Sequence, residues 1–153
     1  MGRVPLLQQL FHYIVNHENV SVDKILGQMG PGEVSECEPE LGLSALHIAC
    51  MFDNFKAISK LLKMPDADVN KVDKNSRTPW QIAIGVCSKD CLNILATDLR
   101  VEIGENVDKE SLNFMENVSQ NQQTEIIKLL EDLHKKRERI IKHKNKKKHK
   151  NNK

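Results

Sequence analysis

Residues 42–70 read GLSALHIACMFDNFKAISKLLKMPDADVN. Ser44 is a preferred helix N-cap, because its hydroxyl can accept from the first free backbone N–H groups of a helix. Leu46, Ala49 and Cys50 then fall at i, i+3 and i+4, the spacing of one apolar helix face. Asp53-Asn54 supply a polar turn. Ile58, Leu61 and Leu62 draw the same stripe on a second helix. The small side chain of Ala49 lets the two helices of the pair approach closely.

The unit recurs. Residues 76–96 read SRTPWQIAIGVCSKDCLNILA. Setting Ser44 on Thr78 also sets Ala45 on Pro79, Leu46 on Trp80, Ile48 on Ile82 and Ala49 on Ala83, a spacing of 34 residues. Thr78 is again an N-cap, Pro79 suits the first helical position, and Ser88 supplies the polar turn. SALHIA and TPWQIA resemble the ankyrin signature TPLHxA. KLLKMPDADVNKVDK resembles the ankyrin close, a Leu pair followed by Ala-Asp-Val-Asn and Asp. An extra residue around Pro65-Asp66 accounts for the period being one longer than 33. The departures are Ala45 for Pro, Trp80 and Gln81 for Leu and His, and Cys87 where Gly usually ends the first helix.

The resemblance implies an all-α fold, a short ankyrin-repeat solenoid with a C-terminal helix and a basic disordered tail. One repeat cannot bury its own apolar face, so the flanks must supply more units. Residues 5–16 read as an amphipathic helix carrying Leu7, Leu10, Phe11, Ile14 and Val15. Residues 20–29 follow as a second helix in which Ile25-Leu26 mimic the Leu pair. Gly30-Pro31-Gly32 then breaks the chain, and Glu33, Glu36, Glu38 and Glu40 read as a solvated acidic loop. The expected organisation is a degenerate helical pair over 1–29, an acidic loop or finger over 30–43, and an ankyrin repeat over 44–74. A degenerate repeat over 75–104, a helical cap over 105–143 and a basic tail over 144–153 complete it. Within the cap, a short helix is expected over Asp108–Val118 and a polar turn or linker over Ser119–Gln123. A helix from Thr124 follows, with the stripe Ile126, Leu129, Leu130 and Leu133, which Ile140 and Ile141 extend and Arg137 interrupts.

Composition bounds the rest. The 153 residues allow one compact domain plus a tail, and with only 4% aromatics the core must be aliphatic. The net charge of +2 hides a split. Residues 135–153 hold eleven Lys or Arg and one acid, a charge of +10, whereas residues 1–134 hold twelve bases and twenty acids, a charge of −8. Cys37, Cys50, Cys87 and Cys91 form no CxxC pair, which reads as reduced thiols in the cytosol or nucleus. Cys87 and Cys91 stand one helical turn apart, a spacing of buried core residues more often than of metal ligands. The start, Met-Gly-Arg-Val-Pro-Leu-Leu, is a poor secretory signal, and Leu6 stands where a myristoylation motif needs Ser or Thr. No apolar run approaches the roughly 18 residues of a membrane span.

No nucleophile motif, phosphate loop or dinucleotide fingerprint is present, so the expectation is a non-enzymatic chain with no catalytic residues, metal, cofactor or small-molecule substrate. For His47 the resemblance implies a hydrogen-bond tie between neighbouring repeats. It also implies a protein partner held on the concave face of the stack. The contact positions it marks are Glu40, Leu41, Leu43, Met51 and Phe52 in the first clear repeat. In the next they are Lys74, Asn75, Arg77, Gly85 and Val86. Leu43, Met51, Phe52 and Val86 would form an exposed apolar strip, and the role implied is that of a regulatory or inhibitory adaptor in the cytoplasm or nucleus. A separate reading belongs to Lys144, Lys146, Lys147, Lys148 and Lys150. Such a run serves importin recognition or sequence-independent nucleic-acid binding equally well, and a merely solvated tail needs no partner.

Overall fold

A computed structural model describes residues 5–104, 115 and 117–151. Seven α-helices are present among them: α1 Leu6–Val15, α2 Asn19–Leu26, α3 Ala45–Met51, α4 Phe55–Leu61, α5 Pro79–Gly85, α6 Lys89–Thr97 and α7 Gln120–Asn151. A single turn of 3₁₀-helix, Glu33–Ser35, precedes α3. The first helices of the pairs, α1, α3 and α5, stack in one row, and the second helices, α2, α4 and α6, stack in another. α7 packs on the end of the second row, against α6.

The caps decide where the short helices begin. Ser44 and Thr78 both close capping boxes. The Ser44 hydroxyl accepts from the His47 N–H while the His47 ring accepts from the Ser44 N–H. Gln81 makes the same return bond to the Thr78 N–H at 2.9 Å. Asn54 caps α4 through Ala57 at 3.1 Å, and Ser88 caps α6 through Cys91 at 3.1 Å. The turn inside each pair repeats as well. His17, Asp53 and Cys87 take left-handed φ values of 58°, 54° and 53°. The next residue in each case donates to a carbonyl five positions back: Glu18 to Tyr13, Asn54 to Ala49 and Ser88 to Ala83. The first helical pair therefore shares the backbone geometry of the two clear repeats, although its sequence resembles theirs only weakly.

Burial follows the apolar stripes. Leu10, Ile14, Ile58, Leu61, Leu92 and Leu95 are completely or almost completely enclosed, each contributing about 1.5–3 kcal/mol by removal from water. Polar ties then join neighbouring repeats. Asn54, buried, donates from Nδ2 to the Ile14 carbonyl at 2.9 Å. Ser35 bridges to Asp66 and Asp68, and Asn70 bridges to Arg100 and Glu102, the targets displaced by 34 residues. Two arginines collect backbone carbonyls of the chain that follows a helix. Arg100 donates to the oxygens of Leu62, Met64 and Pro65 beyond α4, and Arg137 donates to those of Asp98 and Val101 beyond α6.

The C-terminal region differs from expectation in four respects. The polar run Gln120–Gln123 is the first turn of α7 rather than a separate turn or linker, capped by Ser119. Arg137 does not interrupt the packed stripe: it is buried and continues the row Ile126, Leu130, Leu133 as the clamp just described. Ile140 and Ile141 do not extend the stripe, being almost half exposed. The Lys-rich stretch is not disordered but helical to Asn151, since Lys is a good helix former and no Gly or Pro intervenes. The helix expected over Asp108–Val118 lies largely outside the described residues, and its Met115 is buried.

Candidate functional site

Two fingers project ahead of α3 and α5, and an acid organises each. Asp73, buried, accepts from the Asn75 and Arg77 N–H groups and pairs with the Arg77 guanidinium at 2.8 Å. Burial raises its carboxyl, but the Arg77 donors outweigh that and hold it below the usual range. In the preceding finger the positions equivalent to 75 and 77 are Leu41 and Leu43, and both donate to Glu38 Oε1, at 2.7 and 3.0 Å. With Glu40 on the other oxygen, these backbone donors pull the Glu38 carboxyl below its ordinary value, the Leu43 bond most. Glu38 is thus the finger's internal brace rather than part of a solvated acidic loop. The signal was present in the sequence as an acid three and five residues ahead of the positions it binds, but its neighbours Glu36 and Glu40 masked it.

The fingers are locked side by side. The Lys74 N–H donates to the Leu41 carbonyl at 2.9 Å, and Lys74 Nζ donates to the Pro39 carbonyl at 2.6 Å. Gly42 has φ of 72°, and a Cβ on it would lie 3.2 Å from the Lys74 nitrogen, so no other residue fits there without displacing the tip. Glu40, Leu41, Lys74 and Asn75 are exposed at these tips, and Arg77 is half-buried against Asp73. Leu43 departs from expectation. It is 4% exposed, packed under the finger in the core, and is removed from the strip. The Glu38 bond to its N–H turns the chain so that its side chain points inward.

A second row lies at the far ends of the inner helices. Phe52 ends α3 and Val86 ends α5, at equivalent positions of successive repeats, 41% and 44% exposed. Met51 and half-buried Gly85 precede them. α3 itself offers nothing between the two rows, since every residue from Ala45 to Cys50 is buried. The surface is therefore a charged finger edge and an apolar helix-end row, with a closed helix between them.

Little here suits catalysis. His47 is buried, its Nδ1 accepts from Ser44 and its Nε2 faces the Arg77 carbonyl, while burial keeps it neutral. Cys91 donates to Asp53 Oδ1 at 3.2 Å, and burial pushes its thiol up to about 12, far from a reactive thiolate. No group of three His, Cys, Asp or Glu side chains suited to a metal occurs among the described residues. No helix among them is long and apolar enough to cross a membrane.

A family model of ankyrin repeats, in three copies, matches residues 11–110, which takes in the second half of α1 and every helix from α2 to α6. The chain belongs to the ankyrin-repeat family. No curated protein matches it in a sequence search. Ankyrin repeats are generally protein–protein interaction modules, and the family is typically non-enzymatic. The ankyrin stack holds the finger edge and the helix-end row, whereas the lysines of residues 144–150 lie outside it. Lys144, Lys146, Lys147, Lys148 and Lys150 are all exposed on α7, and the structure does not bring them to the fingers.

Proposed function

We propose that this ankyrin stack holds a protein partner between its finger edge and its helix-end row, as a regulatory or inhibitory adaptor. Phe52 and Val86 carry the reading: large apolar side chains left exposed at the same place in consecutive repeats form a surface that gains from being covered. Glu40, Lys74 and Asn75 on the finger tips supply polar contacts that select the partner, and Leu41 adds an exposed apolar contact beside them. A cytoplasmic or nuclear setting goes with this reading, supported by four cysteines that are all free.

The experiment compares captured proteins for the unaltered chain and a Met51→Glu/Phe52→Glu variant that circular dichroism shows to be folded. A partner lost by the variant, and retained when residues 140–153 are deleted, is the expected result. A partner that survives the variant and is lost with the deletion would move the binding element to α7. A second reading has its own support: residues 139–151 contain no acid and every side chain from Arg139 to Lys150 is exposed. That stretch suits an importin or nucleic-acid phosphate. Retention on duplex DNA that falls steeply between low and moderate salt would identify the phosphate contact.

A further inference from the structure

The second row of helices, α2, α4 and α6, carries a groove that the reading above does not use. Val20 of α2, Phe55 of α4 and Ile94 of α6 line it with apolar surface, and its volume is about 390 Å³. Val20 is 86% exposed, the most exposed large apolar side chain described. The groove runs on into a second depression of about 480 Å³, which shares Ser59, Lys63 and Ile94 and is closed on its far side by Lys144 of α7. Four helices, from three repeats and the cap, thus converge on one surface.

The rim is cationic. Lys56 and Lys63 border the apolar lining and Lys144 closes the end. Lys60 is ion-paired to Asp23, but the ammonium groups of these three have no hydrogen bond or ion pair among the described residues. They stay unpaired although residues 1–134 carry eight more acids than bases. Desolvating an apolar lining favours an apolar ligand, and unpaired ammonium groups around it favour carboxylates on that ligand's flanks. Nucleic acid would use the lysines but gain little from Val20 and Ile94, since stacking needs aromatic faces and only Phe55 offers one.

We infer that this groove binds an acidic amphipathic helix of a partner protein, its apolar face on Val20, Phe55 and Ile94 and its carboxylates on Lys56, Lys63 and Lys144. The binding mode is a helix laid in a groove and read through anchors at i, i+3, i+4 and i+7. It is a second site, whose lining includes neither Phe52 nor Val86.

The test titrates the isotope-labelled full chain with a synthetic helical peptide of about 15 residues, Leu on one face and Glu elsewhere, followed by amide chemical shifts. Saturable shifts at Val20, Phe55, Lys56 and Ile94, with Phe52 and Val86 unmoved, are expected. Lys56→Glu/Lys63→Glu and, separately, Phe55→Ser should each raise the Kd at least about tenfold, the effect of losing one good contact of 1.4 kcal/mol. These are surface changes, and circular dichroism confirms folding. The inference is overturned by an absence of saturable shifts, by shifts centred on Phe52 and Val86, or by a Phe55→Ser variant that binds unchanged. A short DNA duplex that outcompetes the peptide would overturn it in favour of a phosphate site.

Discussion

His47 Nε2 lies 2.9 Å from the carbonyl oxygen of Arg77, 30 residues further along the chain. Since Nδ1 accepts from the Ser44 N–H, the ring proton sits on Nε2 and donates to Arg77. One imidazole therefore caps its own helix and fastens the next repeat. A second proton would have to enter at Nδ1, against the Ser44 N–H.

The stack should accordingly lose stability on mild acidification. Burial lowers the His47 pKa below its usual 6.5, outweighing the Arg77 carbonyl and Asp73, which favour the charged ring. Below about pH 6.5 the unfolded chain takes up a proton that the folded chain resists, so stability present above that pH is lost as pH falls. Urea midpoints across this range should decline, and His47→Gln should flatten part of the decline. Gln is the residue the next repeat uses at this place, so the capping box survives while the Arg77 bond is lost, at about 1 kcal/mol.

Cys87→Gly should stabilise the protein. Cys87 holds φ of 53°, a conformation costing a residue with a Cβ about 1–2 kcal/mol. Part of the relief is offset by the greater freedom of Gly in the unfolded chain, leaving a gain of about 1 kcal/mol or less. The melting midpoint should rise by a few degrees. Asp53→Gly, at the equivalent place, should not stabilise, because Ser88 and Cys91 both donate to the Asp53 carboxylate. A lower midpoint for Cys87→Gly would show that its thiol contributes packing that outweighs the backbone strain.

Leu43 and Leu41 should behave oppositely under truncation. Leu43→Ala should cost about 2–5 kcal/mol in denaturant melts, like Leu61→Ala in the same core. Leu41→Ala, on the exposed finger tip, should cost less than about 0.5 kcal/mol. Equal losses would mean that the finger is turned differently about Glu38.

Arg137 should be the residue that holds α7 to the stack. Arg137→Met keeps the buried length but removes the donor of the Val101 carbonyl and the second donor of the Asp98 carbonyl, at about 1.5–3 kcal/mol. Hydrogen exchange should then rise in α7 before it rises in α3 or α4. Deleting residues 140–153 should leave the midpoint nearly unchanged, whereas deleting 135–153 should lower it. If both deletions are neutral, Arg137 is a bystander.

Capping residues, the apolar stripes and the period were legible because each is a local pattern: Ser44, Thr78, the Leu61-Leu62 pair and the offset of 34 needed only neighbours along the chain. What escaped depends on partners distant in sequence. Glu38 resembles three adjacent acids until its finger is folded, and Leu43 resembles a surface residue until Glu38 turns it inward. Arg137 reads as a break in an apolar row until the carbonyls beyond α6 are placed beneath its guanidinium. The groove on the second row of helices was invisible for the same reason, since Val20, Phe55 and Ile94 come from three repeats and stand together only in the stack.

The arginine clamps have a mechanical consequence. Arg100 grips the end of α4 and Arg137 the end of α6, each tying one unit to the unit before it. The substantial helix packing likewise joins only neighbours. Tension between Pro5 and Asn151 would thus run through the units in series, and the chain should lengthen in discrete steps as single units let go. A partner spanning Phe52 and Val86 would bridge two links of that series and raise the force at which they part.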